Sequence, residues 1–145
     1  MHIVPIASGK GGVGKTLVSA NVAIALAQAG KQVVLADLDL GGSNLHLVLG
    51  MTSGAPSIGG FLGKKKIDFG NLLQDTGVPN LRFIAGDAEI PGLANLNASQ
   101  KNMLIRRLGE IEADYLVLDL GAGTSQNILD FFLMSGQGII VTAPT

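Results

Sequence analysis

Cysteine and tryptophan are missing from the chain altogether. The lack of cysteine removes disulfides, thiolate zinc sites, iron–sulfur ligation and cysteine nucleophiles in one step, and it fits a reducing compartment. Charge is also scarce. Charged residues make up 14 % of the 145 residues and the net charge is −1, so no global basic field supports sequence-independent nucleic-acid binding. The one basic run, Lys64-Lys65-Lys66, reads as a solvated loop. No apolar run reaches the roughly 18 residues needed to span a bilayer. The N-terminal stretch Met1-His2-Ile3-Val4-Pro5-Ile6 lacks the charged region and cleavage site of a signal peptide. The expectation is a soluble, cytoplasmic chain with no visible membrane attachment. His2 and His46 sit in no partner pattern and carry no catalytic reading.

What is plentiful is apolar residues, at 47 %, enough for a sizeable core in a single domain over 1–145. Strand-length apolar runs recur at 2–7, 32–38, 81–85, 115–120 and 138–142. Helical stretches separate them at 16–29, 44–49, 99–111 and 125–134. The third of these has Ser99 as a candidate N-cap and Leu104, Leu108 and Ile111 on one face. Residues 50–80, rich in Gly, Pro and Ser, read as mostly loop with a short helical piece. The strand runs are continuously apolar rather than alternating, as parallel strands covered on both faces are. The predicted fold is therefore α/β: a doubly wound, mainly parallel sheet of about five strands with helices on both faces. Ligands in such sheets sit beyond the carboxyl ends of the strands, so informative residues should follow each strand.

The first strand runs into Gly9-Lys10-Gly11-Gly12-Val13-Gly14-Lys15-Thr16, and the helix predicted over 16–29 follows. This fits the phosphate-loop pattern G-x-x-x-x-G-K-[ST] in its strand–loop–helix setting. Glycines let successive backbone N–H groups turn inward on phosphates, and the helix brings its positive end to the same point. Lys15 supplies a fixed cation, and the Thr16 hydroxyl suits Mg²⁺. Gly9, Lys10, Gly11, Gly12, Val13, Gly14, Lys15, Thr16 and Leu17 are the candidate nucleotide-binding residues, with ATP and Mg²⁺ as the expected ligands. A rival reading takes Gly9, Gly11 and Gly14 as a dinucleotide fingerprint with Asp37 as its ribose-binding acid. That reading leaves Lys15-Thr16 and the acid after the fourth strand unexplained.

The second strand ends in Asp37-Leu38-Asp39-Leu40-Gly41-Gly42-Ser43-Asn44-Leu45. Carboxylates there can orient a water or reach Mg²⁺, or they can cap the short helix that follows. The strand 115–120 carries Asp119 near its end, the Walker B form whose carboxylate holds Mg²⁺ through water. Gly121-Ala122-Gly123 leaves room for backbone to approach a terminal phosphate, which makes Gly121 a candidate nucleotide contact. Thr16, Asp39 and Asp119 form the expected metal set.

Lys10, an extra lysine early in the loop, departs from an ordinary phosphate loop, and with it the sequence resembles the deviant-Walker ATPases of the MinD/ParA/Mrp group. The stretch from Asp119 to Leu133, with Asp-Leu-Gly-Gly-Ser-Asn-Leu-His at 39–46, is similar to the FlhG/FleN branch, which controls flagellar number and placement. The resemblance implies a homodimer with nucleotide at its interface, Lys10 reaching the partner's nucleotide, and slow hydrolysis. It gives Lys10, Lys15 and Asp39 the catalytic roles, with Asp39 on the attacking water and Asp37 nearer the metal shell or structural. It also implies a regulatory protein partner. It covers nearly the whole chain, which reads as the N-terminal part of such a protein; base recognition and a membrane-targeting helix belong to the family's later segments. Two other readings stay open at this point: a ParA-type DNA-partitioning module and a nucleotide-binding module without hydrolysis. A cluster-carrying protein on the same fold would need cysteines.

Overall fold

The computed structural model describes residues 1–39, 45–51, 56–63, 67–86, 96–123 and 125–144. Lys64-Lys65-Lys66, the 40–44 part of the acid-rich stretch, and Thr124 lie outside the described residues.

The chain runs β1 (His2–Ala7), α1 (Lys15–Gln28), β2 (Val33–Leu38), α2 (Leu45–Val48), α3 (Ile58–Leu62), a 3₁₀ turn (Phe69–Leu72), β3 (Gln74–Asp75), β4 (Leu81–Ile84), α4 (Ala98–Gly109), β5 (Tyr115–Leu120), α5 (Gln126–Phe132) and β6 (Ile139–Ile140). The strands form one sheet in the order β3-β4-β2-β5-β1-β6. All pairings are parallel except β3 with β4.

The continuous apolar pattern now has its cause. Alternate residues of the same strand enter opposite cores. Val34, Ala36, Leu116, Leu118 and Leu120 pack with Leu104 and Leu108 of α4 and Phe131 of α5. Val33, Leu35 and Val117 pack on the other face with Ala20, Ala23 and Ala27 of α1. The alanine stripe lets α1 approach the sheet closely, which brings its first turn against the carboxyl end of β5. The predicted doubly wound, mainly parallel architecture with helices on both faces is the one observed.

Three expectations change. The sheet has six strands rather than about five, because polar Gln74-Asp75 forms a short antiparallel edge that carries no apolar signature. Asn97, not Ser99, caps α4. Its side chain accepts from Gln100 N at 2.8 Å while the Gln100 side chain accepts from Asn97 N at 3.1 Å, so one reciprocal pair satisfies two orphan donors and Ser99 falls inside the first turn. Ile111 is buried with Leu104 and Leu108 but lies beyond the end of α4.

The central strands set the site. Ile6 of β1 and Asp37 of β2 both stand opposite Asp119 of β5. At the other end of these strands His2 stacks on Tyr115, with ring centroids 5.2 Å apart, which accounts for both side chains as packing.

A candidate phosphate and metal site

Between β1 and α1 the backbone turns through two left-handed glycines, Gly12 at φ 75° and Gly14 at φ 90°. Side chains rarely adopt that region. A Cβ added at Gly9, Gly11, Gly12 or Gly14 would meet no other atom within 4 Å, so the bare backbone faces open space. That space is a cleft of about 270 Å³ lined by Ser8, Gly11 to Leu17, Asp39 and Ala122. Lys10 is exposed and stands outside this lining.

Beneath the loop lies a buried polar network. Lys15 Nζ donates to Asp119 Oδ1 at 2.6 Å, with the two residues 7 % and 1 % exposed. Ser19 Oγ donates to the same oxygen at 2.9 Å, and Thr16 Oγ1 donates to Asp119 Oδ2 at 3.2 Å. Asp119 is thus held by three donors from the first two turns of α1, an anchorage that makes a buried carboxylate tolerable. Ser19 gave no signal in the sequence beyond its place one turn after Lys15.

Asp39 lies beside this network. Its carboxyl is held above the ordinary carboxylate range by burial, with Lys15 opposing and the charge of Asp119 adding to the rise. A Cβ at Gly121 would come within 3.2 Å of Asp39 Oδ1. The missing side chain at Gly121 therefore makes room for this carboxylate as well as exposing backbone.

Asp37 does two jobs of one kind: its Oδ1 accepts from Asp39 N at 3.1 Å and its Oδ2 from Leu45 N at 3.4 Å. It therefore ties the end of β2 to the start of α2. Burial, then the charge of Asp119, pushes its pKa up to about 7 against the pull of those two N–H groups. A carboxyl at about 3.9 in the unfolded chain and about 7 in the folded one binds more protons when folded. Its ionisation therefore costs stability, absent below pH 4 and growing as pH rises toward 7. In chelator, without nucleotide, the unfolding free energy of the wild type from urea titrations should fall from pH 5 to pH 8, by an amount on the order of a few kcal/mol at about 1.4 kcal/mol per pKa unit. Asp37→Asn should flatten that slope. Equal slopes in the two proteins would show that Asp37 does not titrate in this window.

Magnesium fits the donor chemistry. Thr16, Asp39 and Asp119 offer hard oxygens, and the carboxyls of Asp37 and Asp39, held above their usual range, mark a negative field that a divalent cation would relieve. Among the described residues no group of three or more His, Cys, Asp or Glu could hold a metal by itself. A magnesium that shares its shell with phosphates and waters needs only one or two protein ligands.

A glycine-rich loop entering a helix at the carboxyl edge of a parallel sheet, with an acid at the end of the neighbouring strand, defines a nucleotide-binding α/β domain. The chain belongs to the CobQ/CobB/MinD/ParA nucleotide binding domain family, whose model matches residues 4–129. It is 36 % identical over 145 residues to the septum site-determining protein MinD of Synechocystis sp., covering 99 % of this chain and 53 % of that protein. It is 32 % identical over 143 residues to the antiactivator FleN of Pseudomonas aeruginosa, covering 97 % and 50 %. Among solved structures, MinD of Pyrococcus horikoshii complexed with Mg-ADP superposes with a TM-score of 0.81 at 26 % identity, over 99 % of this chain and 58 % of that one. The chain spans about half the length of the curated relatives it matches. No helix among the described residues is long and apolar enough to cross a membrane.

Proposed function

We propose that this chain is the nucleotide-binding part of an ATP-driven switch of the MinD kind, which binds Mg-ATP, dimerises around it and hydrolyses it slowly. The observation that carries the reading is the open glycine cradle set over the Lys15–Asp119–Thr16 network. The Mg-ADP held by the Pyrococcus relative supports ATP and magnesium as the ligands. The names of the relatives, a septum site-determining protein and an antiactivator, support a role in placing cellular machinery through a regulatory protein partner.

In this mechanism the amides of Gly11 to Thr16 hold the phosphates, and Lys15 leaves Asp119 to neutralise their charge. Thr16 and Asp119 would hold magnesium, with Asp39 beside them, and the ion would supply charge stabilisation to the phosphates. Asp39 orients the attacking water, and Gly121 lets the loop after β5 close on the terminal phosphate. Catalysis is then positioning and charge neutralisation. Lys10, exposed at the mouth of the loop, reaches the nucleotide of the second subunit.

Dimerisation is read by mass. With Mg-ATP and Asp39→Ala to slow turnover, light scattering should give twice the protomer mass, and with Mg-ADP the protomer mass. Lys10→Ala should remain a protomer while still binding nucleotide. A protomer mass for the parent protein at saturating Mg-ATP would contradict the switch.

A further inference from the structure

Ser8, the residue between β1 and the glycine loop, was not among the residues singled out by the sequence pattern. It is 3 % exposed, and its hydroxyl is the one buried side-chain oxygen or nitrogen among the described residues that finds no hydrogen-bond partner. Buried hydroxyls are nearly always satisfied, because an unmade bond costs about 1–3 kcal/mol. Ser8 is among the residues that line the cleft with Gly11 to Leu17, Asp39 and Ala122, so its unpartnered hydroxyl is buried at the wall of the candidate phosphate site.

The backbone of Ser8 narrows the choice of partner. Its carbonyl accepts from Gly123 N at 3.0 Å, which joins the loop after β1 to the loop after β5. Ser8 therefore sits at the seam between the two loops. On the reading above, the amides of Gly11 to Thr16 hold the phosphates, and the loop that begins at Gly121 closes on the terminal one. A donor at that seam is placed for the end of the ligand that distinguishes a triphosphate from a diphosphate. We infer that the Ser8 hydroxyl donates to a terminal-phosphate oxygen of a bound nucleoside triphosphate and so sets the preference for triphosphate over diphosphate. The inference rests on the phosphate-site reading and adds to it a contact specific for the third phosphate.

The test exploits the fact that removing an unpaired buried hydroxyl should not harm the fold. Calorimetric titration of the 145-residue chain with a non-hydrolysable ATP analogue and with ADP, both with magnesium, is compared for wild type, Ser8→Ala and Ser8→Cys. Melting temperatures are taken without nucleotide. One charge-assisted hydrogen bond predicts about a tenfold loss of affinity for the triphosphate in both variants, ADP affinity within twofold of wild type, and an unchanged or higher melting temperature. A merely structural serine would lower the melting temperature and weaken both ligands together, and that result overturns the inference. Unchanged triphosphate affinity in Ser8→Ala also overturns it, as it would if a water alone satisfied the hydroxyl, while leaving the phosphate site standing. A wild type that binds neither nucleotide removes the site and this contact together.

Discussion

Replacing Lys15 with alanine is expected to weaken Mg-ATP binding by about 100-fold, the effect of losing charge-assisted bonds to a polyphosphate, and to destabilise the protein as well. The second effect follows from the ion pair. Lys15 is 7 % exposed and its partner Asp119 is 1 % exposed, so alanine leaves a buried carboxylate without its cation, a change that typically costs about 3–5 kcal/mol. Ser19 and Thr16 still donate to Asp119, which puts the expected loss at the lower end, about 3 kcal/mol. The two effects separate in a double variant. Lys15→Ala with Asp119→Asn removes the stranded charge, so stability should recover while triphosphate affinity stays lost. Denaturant unfolding reads the first quantity and calorimetry the second. A Lys15→Ala protein that binds Mg-ATP like wild type would show that the loop does not grip phosphates through this side chain.

Replacing Asp39 with alanine is expected to act on rate rather than affinity. Asp39 lines the cleft beside Gly11 to Leu17 and Ala122, and its carboxyl oxygen lies close against Gly121. From there it can align a water with the terminal phosphate. Losing such a positioned group should reduce phosphate release by about 100-fold, with the dissociation constant of Mg-ATP changed less than threefold. The pattern of loss also separates the two roles considered for this residue. If Asp39 chiefly holds magnesium, the magnesium dependence of binding falls along with the rate. Equal phosphate release by wild type and Asp39→Ala would remove Asp39 from the mechanism.

Much of the architecture was legible because its signals are local. Continuous apolar strands announced a sheet covered on both sides, and the loop from Gly9 to Thr16 placed the first strand's ligand end. Lys15 and Asp119, 104 positions apart, were named separately by their motifs; their direct pairing at 2.6 Å depends on β1 and β5 being neighbours in the sheet, which no local pattern states. The β3 edge escaped notice because two polar residues joined at a sheet margin leave no periodic trace. Ser99 stands out as an α4 cap candidate by residue type, whereas the capping box shows only when the Asn97–Gln100 pair is read together. Asp37 shows a different limit. An acid two residues before another looks like a metal ligand or a cap with equal ease. Its bonds to Asp39 N and Leu45 N identify the tie between β2 and α2. Ser8 had no motif to flag it, and only its burial beside the cleft draws attention to its hydroxyl.

On the proposed function, bare loop amides and Lys15 hold a nucleoside triphosphate whose magnesium would sit against Thr16 and Asp119. Calorimetric titration of the purified chain with ATP, with magnesium and again in chelator, measures this directly. Saturable binding of one nucleotide per chain is expected with magnesium, and a marked loss of affinity without it. A well-folded chain that takes up no triphosphate in either condition would contradict it.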